Sequence, residues 1–192
     1  YNHMLMPLVY DNMFELDSSF NLSSRIISDY TCSEDATSWS FYVDNTVQFQ
    51  DGSCLTAHDV AYSLLRAARG TEYGARLKNL VGVSALSDEL FMVSLYEPNR
   101  MFPMLLNIPI IKNGSGSDTA PLGTGAYKFN SDHTALELWD GHPQAADMPI
   151  DVIYLKEYNE PEEVISAFED SLIDLVQNDP TGISDLGYGS AN

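Results

Sequence analysis

The side chains able to do chemistry fall into three sets: adjacent carboxylates, four scattered histidines and two cysteines. The carboxylate pairs are Glu34-Asp35, Glu162-Glu163 and Glu169-Asp170. Two carboxyl groups about 5–9 Å apart across a cleft can hydrolyse a glycoside as acid and base or nucleophile. Neighbours along a helix do not share a face, however, so these pairs read as solvated surface. The histidines (His3, His58, His133 and His142) include no His-x-x-x-His pair. Neither Cys32 nor Cys54 has a further Cys or His nearby at ligand spacing, so no metal site is legible. There is no Gly-x-Ser-x-Gly elbow, no phosphate loop and no dinucleotide fingerprint. The expectation is a protein without catalytic residues or a cofactor. Gly123-Thr124-Gly125 reads on its own as a tight turn leading a strand, with glycine supplying positive φ at low cost.

Charge narrows the partners. The 192 residues carry 28 Asp and Glu against 9 Lys and Arg, a formal net charge of −19. Nucleic-acid backbones need a basic footprint, which is missing, and anionic lipid headgroups are repelled for the same reason. No apolar run reaches the roughly 18–20 residues of a membrane span. At 44% hydrophobic residues the chain can bury one substantial core as a single domain. Cys32 and Cys54 would be free to pair in an extracellular setting, and two separate thiols are the alternative.

Local signals lay out the elements that must position these groups. Asp51-Gly52 is a turn dipeptide, Thr56 a helix N-cap and Asp59 a first-turn acid. Val60, Leu64 and Ala67 mark one helical face, which predicts a helix over 57–69 ended by Gly70. Residues 26–33 and 38–43 read as a strand pair, as do 82–85 with 90–95, and 127–129 with 135–139. Helices are expected over 1–14, 72–80, 99–107 and, opened by Pro161, 161–170. Residues 112–120 are rich in Gly, Ser and Asp and read as a mobile loop, either a shortened one or one on the ligand side. Strands interleaved with helices give an α/β fold, and the hairpins imply a mixed sheet.

Four collinear segments carry a family resemblance. Phe49-Gln-Asp-Gly-Ser-Cys-Leu-Thr-Ala-His-Asp-Val60, preceded by Trp39-Ser-Phe-Tyr-Val43, is the most specific. Val9-Tyr-Asp-Asn-Met-Phe-Glu-Leu-Asp17, Pro121-Leu-Gly-Thr-Gly-Ala-Tyr-Lys-Phe129 and the segment 153–176 follow the same order. Together they resemble the family 5 extracellular solute-binding proteins, the peptide-, dipeptide- and nickel-binding receptors of ABC importers. Ala126 stands where the family usually has proline, and Ser171-Leu172 where a Gly-Glu pair is common.

The resemblance implies a lobe of a type II periplasmic-binding-protein-like fold, with the second lobe absent. Residues 1–180 would form that lobe, and 181–192 a polar tail at the crossover. It also implies an extracellular or periplasmic receptor, lipoprotein-anchored in the full-length protein. Its ligand would be a peptide and its partners the permease subunits. Tyr10, Tyr73, Ile108 and Ile110 are expected along the cleft wall, near the Gly123-Thr124-Gly125 turn. A nickel or metal-chelate receptor is the alternative within the family, and a carboxylate-dependent hydrolase the alternative outside it.

Overall fold

The computed structural model describes residues 5–176. His3 and the expected tail at 181–192 lie outside the described residues. Of the helix expected over 1–14, residues 1–4 lie outside the described residues, and residues 5–14 form only a single turn, α1 (Met6–Val9). Tyr10 leaves it in an extended conformation, and the chain then runs along residues 106–110. Met13 N–H donates to Ile108 O (2.8 Å), Phe14 N–H to Leu106 O (3.1 Å) and Ile110 N–H to Asp11 O (3.0 Å). Pairing with a distant segment overrides the local helical pattern here, as tertiary context commonly does. A small antiparallel pair follows, β1 (Glu15–Leu16) with β2 (Leu22–Ser23).

The larger sheet contains β3 (Ile27–Cys32), β4 (Ser38–Val43), β5 (Leu80–Ala85) and β6 (Leu90–Leu95), in the order β3-β4-β6-β5. Strand alternation sets its inner face. Trp39, Phe41 and Val43 are buried on β4, and Phe91, Val93 and Leu95 on β6. Phe41 and Phe91 face each other in register and stack with ring centroids 5.2 Å apart. Helix α2 (Ala57–Arg69) covers this face and coincides with the helix predicted after Thr56. Its start is a capping box: Asp59 Oδ2 accepts from the Thr56 N–H (2.9 Å) and the Thr56 hydroxyl (2.7 Å). Val60 and Leu64 are buried against the sheet, and burying a side chain of that size contributes about 1.5–3 kcal/mol. Gly70 closes the helix, but in an extended conformation rather than a left-handed one.

Two further helices are not formed. Residues 71–79 are a run of turns leading into β5, and 99–107 keeps only a 3-10 turn at Phe102–Leu105. Pro103 supplies no N–H for a longer α-helix.

The second, smaller layer is a sheet of β7 (Tyr127–Phe129), β8 (Ala135–Leu138) and β9 (Val152–Tyr154), followed by α3 (Pro161–Glu169). It shares a separate core with α1, built on Val9, Tyr10, Ala126, Tyr127 and Leu136. The result is the expected α/β lobe. Among the described residues every named strand pair is antiparallel, the hairpins β3–β4, β5–β6 and β7–β8 and the pairs β4–β6 and β8–β9 alike, so these sheets carry none of the parallel pairing that a mixed sheet would have. Cys32 lies on β3 and Cys54 beside the helix cap; both thiols are free.

The Asp51-Gly52 turn is pinned from the far side of the chain. Gly52 takes φ +81, and Asp51 accepts from Ser53 and from Lys112 Nζ (2.5 Å). Partial burial pushes the Asp51 carboxyl up, but the Lys112 and Ser53 hydrogen bonds and the Lys112 charge overcome it and hold the group at about 2. A depressed carboxylate pKa stabilises the fold above the unfolded-state value, about 4, and that stabilisation is lost as pH falls toward 2. Lys112→Met should therefore lower stability at neutral pH, with the deficit shrinking between about pH 4 and 2. Urea unfolding of both chains across that window tests it. A deficit that stays constant down to pH 2 would show that Lys112 acts through packing alone.

Candidate functional site

An open depression of about 730 Å³ lies at the C-terminal end of α2. Tyr62, Arg66 and Arg69 border it from the helix, Tyr73 from the turns that follow, and Ile108 and Pro109 from the segment paired with residues 11–14. It thus has apolar and aromatic surface beside two guanidinium groups. Tyr73 is held in place: Arg76 lies over its ring, 4.9 Å from the centroid, while Arg76 Nη2 donates to Asn107 O (3.1 Å). Burial pushes the Tyr73 hydroxyl up, Glu72 adds to this, and Arg76 opposes it. Tyr73 is therefore a neutral hydrogen-bonding group at physiological pH.

Of the four residues expected along a cleft wall, Tyr73 and Ile108 line this depression and Tyr10 and Ile110 do not. Tyr10, Ile108 and Ile110 are buried, at 4%, 1% and 0% exposure. The exposure expected of that face is found at Tyr73, which is half-buried, and not at the other three. Tyr10 does meet the Gly123 turn, and its hydroxyl donates to Pro121 O (2.9 Å). The carboxylate pairs Glu34-Asp35, Glu162-Glu163 and Glu169-Asp170 are exposed. His58 is exposed beside Asp88, and among the described residues no three His, Cys, Asp or Glu side chains converge as a metal set.

The sequence model of the bacterial extracellular solute-binding proteins, family 5 (middle), matches residues 21–184. The chain belongs to this family. It is 28% identical over 134 residues to the probable peptide ABC transporter periplasmic-binding protein y4tO of Sinorhizobium fredii, a match covering 65% of this chain and 25% of that protein. It is 25% identical over 134 residues to the glutathione-binding protein GsiB of Escherichia coli K12, covering 64% of this chain and 26% of GsiB. The match thus spans about a quarter of the length of these curated relatives. Among solved structures, the binding protein AgaA of A. tumefaciens R10, in complex with agropinic acid, superposes with a TM-score of 0.72 at 18% identity. That likeness covers 88% of this chain and 38% of AgaA, and it establishes the fold as a lobe of periplasmic-binding-protein architecture. The family is one of solute-binding proteins, which sets the hydrolase alternative aside.

In this family 5 chain the recognisable segments meet at Gln50, inside the Phe-x-Asp-Gly turn. Gln50 is buried, and its Nε2 donates to Val9 O (2.8 Å) and Tyr127 O (2.6 Å). Its Oε1 accepts from Gly123 N–H, and its own N–H donates to Gly123 O. Beside it, Asp11 accepts from Arg25 and from the Thr124 hydroxyl (2.6 Å), and Arg25 also donates to Thr124 O (2.5 Å). His142 borders this network; burial pushes its pKa down, Arg25 adds to the effect and Asp11 opposes it. Three segments far apart in sequence are thereby locked at one junction between the two sheets.

Sequence reasoning missed Gln50 and the arginines of the depression. Gln50 sits at a free position of its motif, so residue type alone gave no signal. The arginines did leave one: Arg66, Arg69, Arg76 and Lys78 are four of the chain's nine basic residues and fall within one short stretch.

Proposed function

We propose that the chain is one lobe of a receptor for an ABC importer and that the solute it captures is a peptide. Residues 1–180 constitute this lobe, and a second lobe of the same protein closes over the depression beside Tyr73. Tyr73 and Ile108 present the wall, with Tyr10 and Ile110 backing it. The receptor works outside the cytoplasmic membrane, lipoprotein-anchored, and hands its ligand to permease subunits. The observation that carries this reading is the family match over residues 21–184, and the naming of y4tO for peptide transport supports the choice of ligand. Two-lobe closure is driven by contacts made only in the closed state, so a single lobe forfeits much of the binding free energy.

The test is mass spectrometry of small molecules co-purified with the full-length protein, followed by calorimetry. Peptides should be recovered, and the full-length protein should bind them at least about a hundredfold more tightly than the 192-residue chain. Recovery of non-peptide solutes alone would overturn the choice of ligand. Equal affinity of the two proteins would overturn the two-lobe reading.

A further inference from the structure

We infer that the solute held in the depression beside Tyr73 is anionic, with a carboxylate seated against Arg66 and Arg69; this rests on the peptide-receptor reading above. Residues 61–85 carry Arg66, Arg69, Arg76 and Lys78 against the single acid Glu72, a local excess of positive charge in a chain of net charge −19; of these, Arg66, Arg69 and Glu72 line the depression itself, two cations against one carboxylate. Of the chain's nine basic residues, only Arg25 and Lys112 are ion-paired among the described residues, with Asp11 and Asp51. Arg66 and Arg69 form no ion pair among the described residues, yet both border the depression.

Their placement has a second, simpler consequence, since cations in the last turn of α2 favour the helix dipole. That effect needs no concavity and no apolar floor. Here the two residues stand one helical turn apart, with Tyr73, Ile108 and Pro109 beside them. The surroundings also restrict Arg66: a Cβ on Gly116 would lie 2.8 Å from its Nη1 and 2.4 Å from Tyr62 Oη. The Gly116 N–H donates to that same hydroxyl (3.2 Å), so the loop over 112–120 packs directly against this corner. A planar guanidinium beside apolar surface suits a carboxylate attached to a short apolar body.

The overall negative charge does not defeat this. Exposed charges are screened beyond about 8 Å at physiological salt, so at contact the local arginines outweigh the distant carboxylates.

The experiment is calorimetry on the full-length protein with two C-terminally amidated tetrapeptides, Ala-Glu-Glu-Ala and Ala-Gln-Gln-Ala, so that only the side chains supply carboxylates. The acidic peptide should bind about tenfold or more tightly. In the Arg66→Gln/Arg69→Gln double variant the ratio of the two affinities should fall toward one, with a retained cooperative unfolding transition, lowered only by the lost helix-dipole contribution, as the control for folding. Arg69→Glu should reverse the preference when Ala-Lys-Lys-Ala replaces the acidic peptide. If both parent peptides bind equally, or the double variant keeps its preference, the inference fails while the receptor reading stands. If neither peptide binds, the peptide reading fails and takes the inference with it.

Discussion

Gly125→Ala should cost the fold at least about 3 kcal/mol, the upper end of what overpacking usually does. An added Cβ at Gly125 would lie 2.4 Å from Leu8 O and 2.6 Å from Val9 C. At Gly123 it would lie 2.1 Å from Val9 O and 2.7 Å from Tyr10 Cδ1. These neighbours are mostly backbone, which cannot swing aside as the end of a flexible side chain can. Relief would require moving α1 off β7, and with it the Gly125 N–H to Val9 O hydrogen bond (2.9 Å). Neither glycine has a positive φ; among the described glycines that conformation belongs to Gly52 and Gly114. The motif needs glycine for close approach, and the positive φ read from the sequence is not the reason. Gly82→Ala is the matched control, because nothing lies within 4 Å of its added Cβ and its φ is ordinary. Urea unfolding should place Gly82→Ala within about 0.5 kcal/mol of the parent. Equal midpoints for Gly125→Ala and Gly82→Ala would sink the close-packing account.

What the sequence could disclose depended on how local each signal was. Helix α2 was legible to the residue because its cap, its apolar face and its stop all lie within one short stretch. The hairpins were legible because turn and alternation are adjacent in sequence. The helix expected over 1–14 failed where Met13 and Phe14 bond to Ile108 and Leu106, a pairing no local pattern announces. Residues 72–80 failed for a related reason. Leu77 is buried, but Gly74 packs on the carbonyls of Ala68 and Gly70 and the stretch stays a run of turns. The candidate site divides along the same line. Tyr73 and Ile108 came from the resemblance, and the structure places them together. Arg66 and Arg69 were visible as a charge cluster, but only the fold sets them beside an apolar floor. Gln50 was invisible, because its partners at Gly123 and Tyr127 lie 73 and 77 residues away.

Gln50→Leu should be comparably severe, at about 3 kcal/mol or more. Leucine keeps much of the volume and removes every polar contact of the side chain, leaving the backbone N–H on Gly123 O. The Gly123 N–H loses its acceptor, and the carbonyls of Val9 and Tyr127 lose a donor. Each buried group left unsatisfied costs about 1–3 kcal/mol. Val9 O retains the Gly125 N–H, so its loss is partial. Gln50→Glu separates hydrogen bonding from packing. A carboxylate there would face two carbonyls with no cation bonded to it, so burial would push its pKa above the unfolded value. A raised acid pKa destabilises the fold above the unfolded value and is relieved by protonation as pH falls. The deficit of Gln50→Glu relative to the parent should therefore be largest at pH 7 and shrink toward pH 4, where the neutral acid can donate one hydrogen bond. The deficit of Gln50→Leu should stay flat over the same range. Chemical denaturation of both variants at pH 7, 5.5 and 4 decides between these outcomes. A flat deficit for Gln50→Glu, or a loss under about 1 kcal/mol for Gln50→Leu, would mean that the junction between the two sheets holds without Gln50.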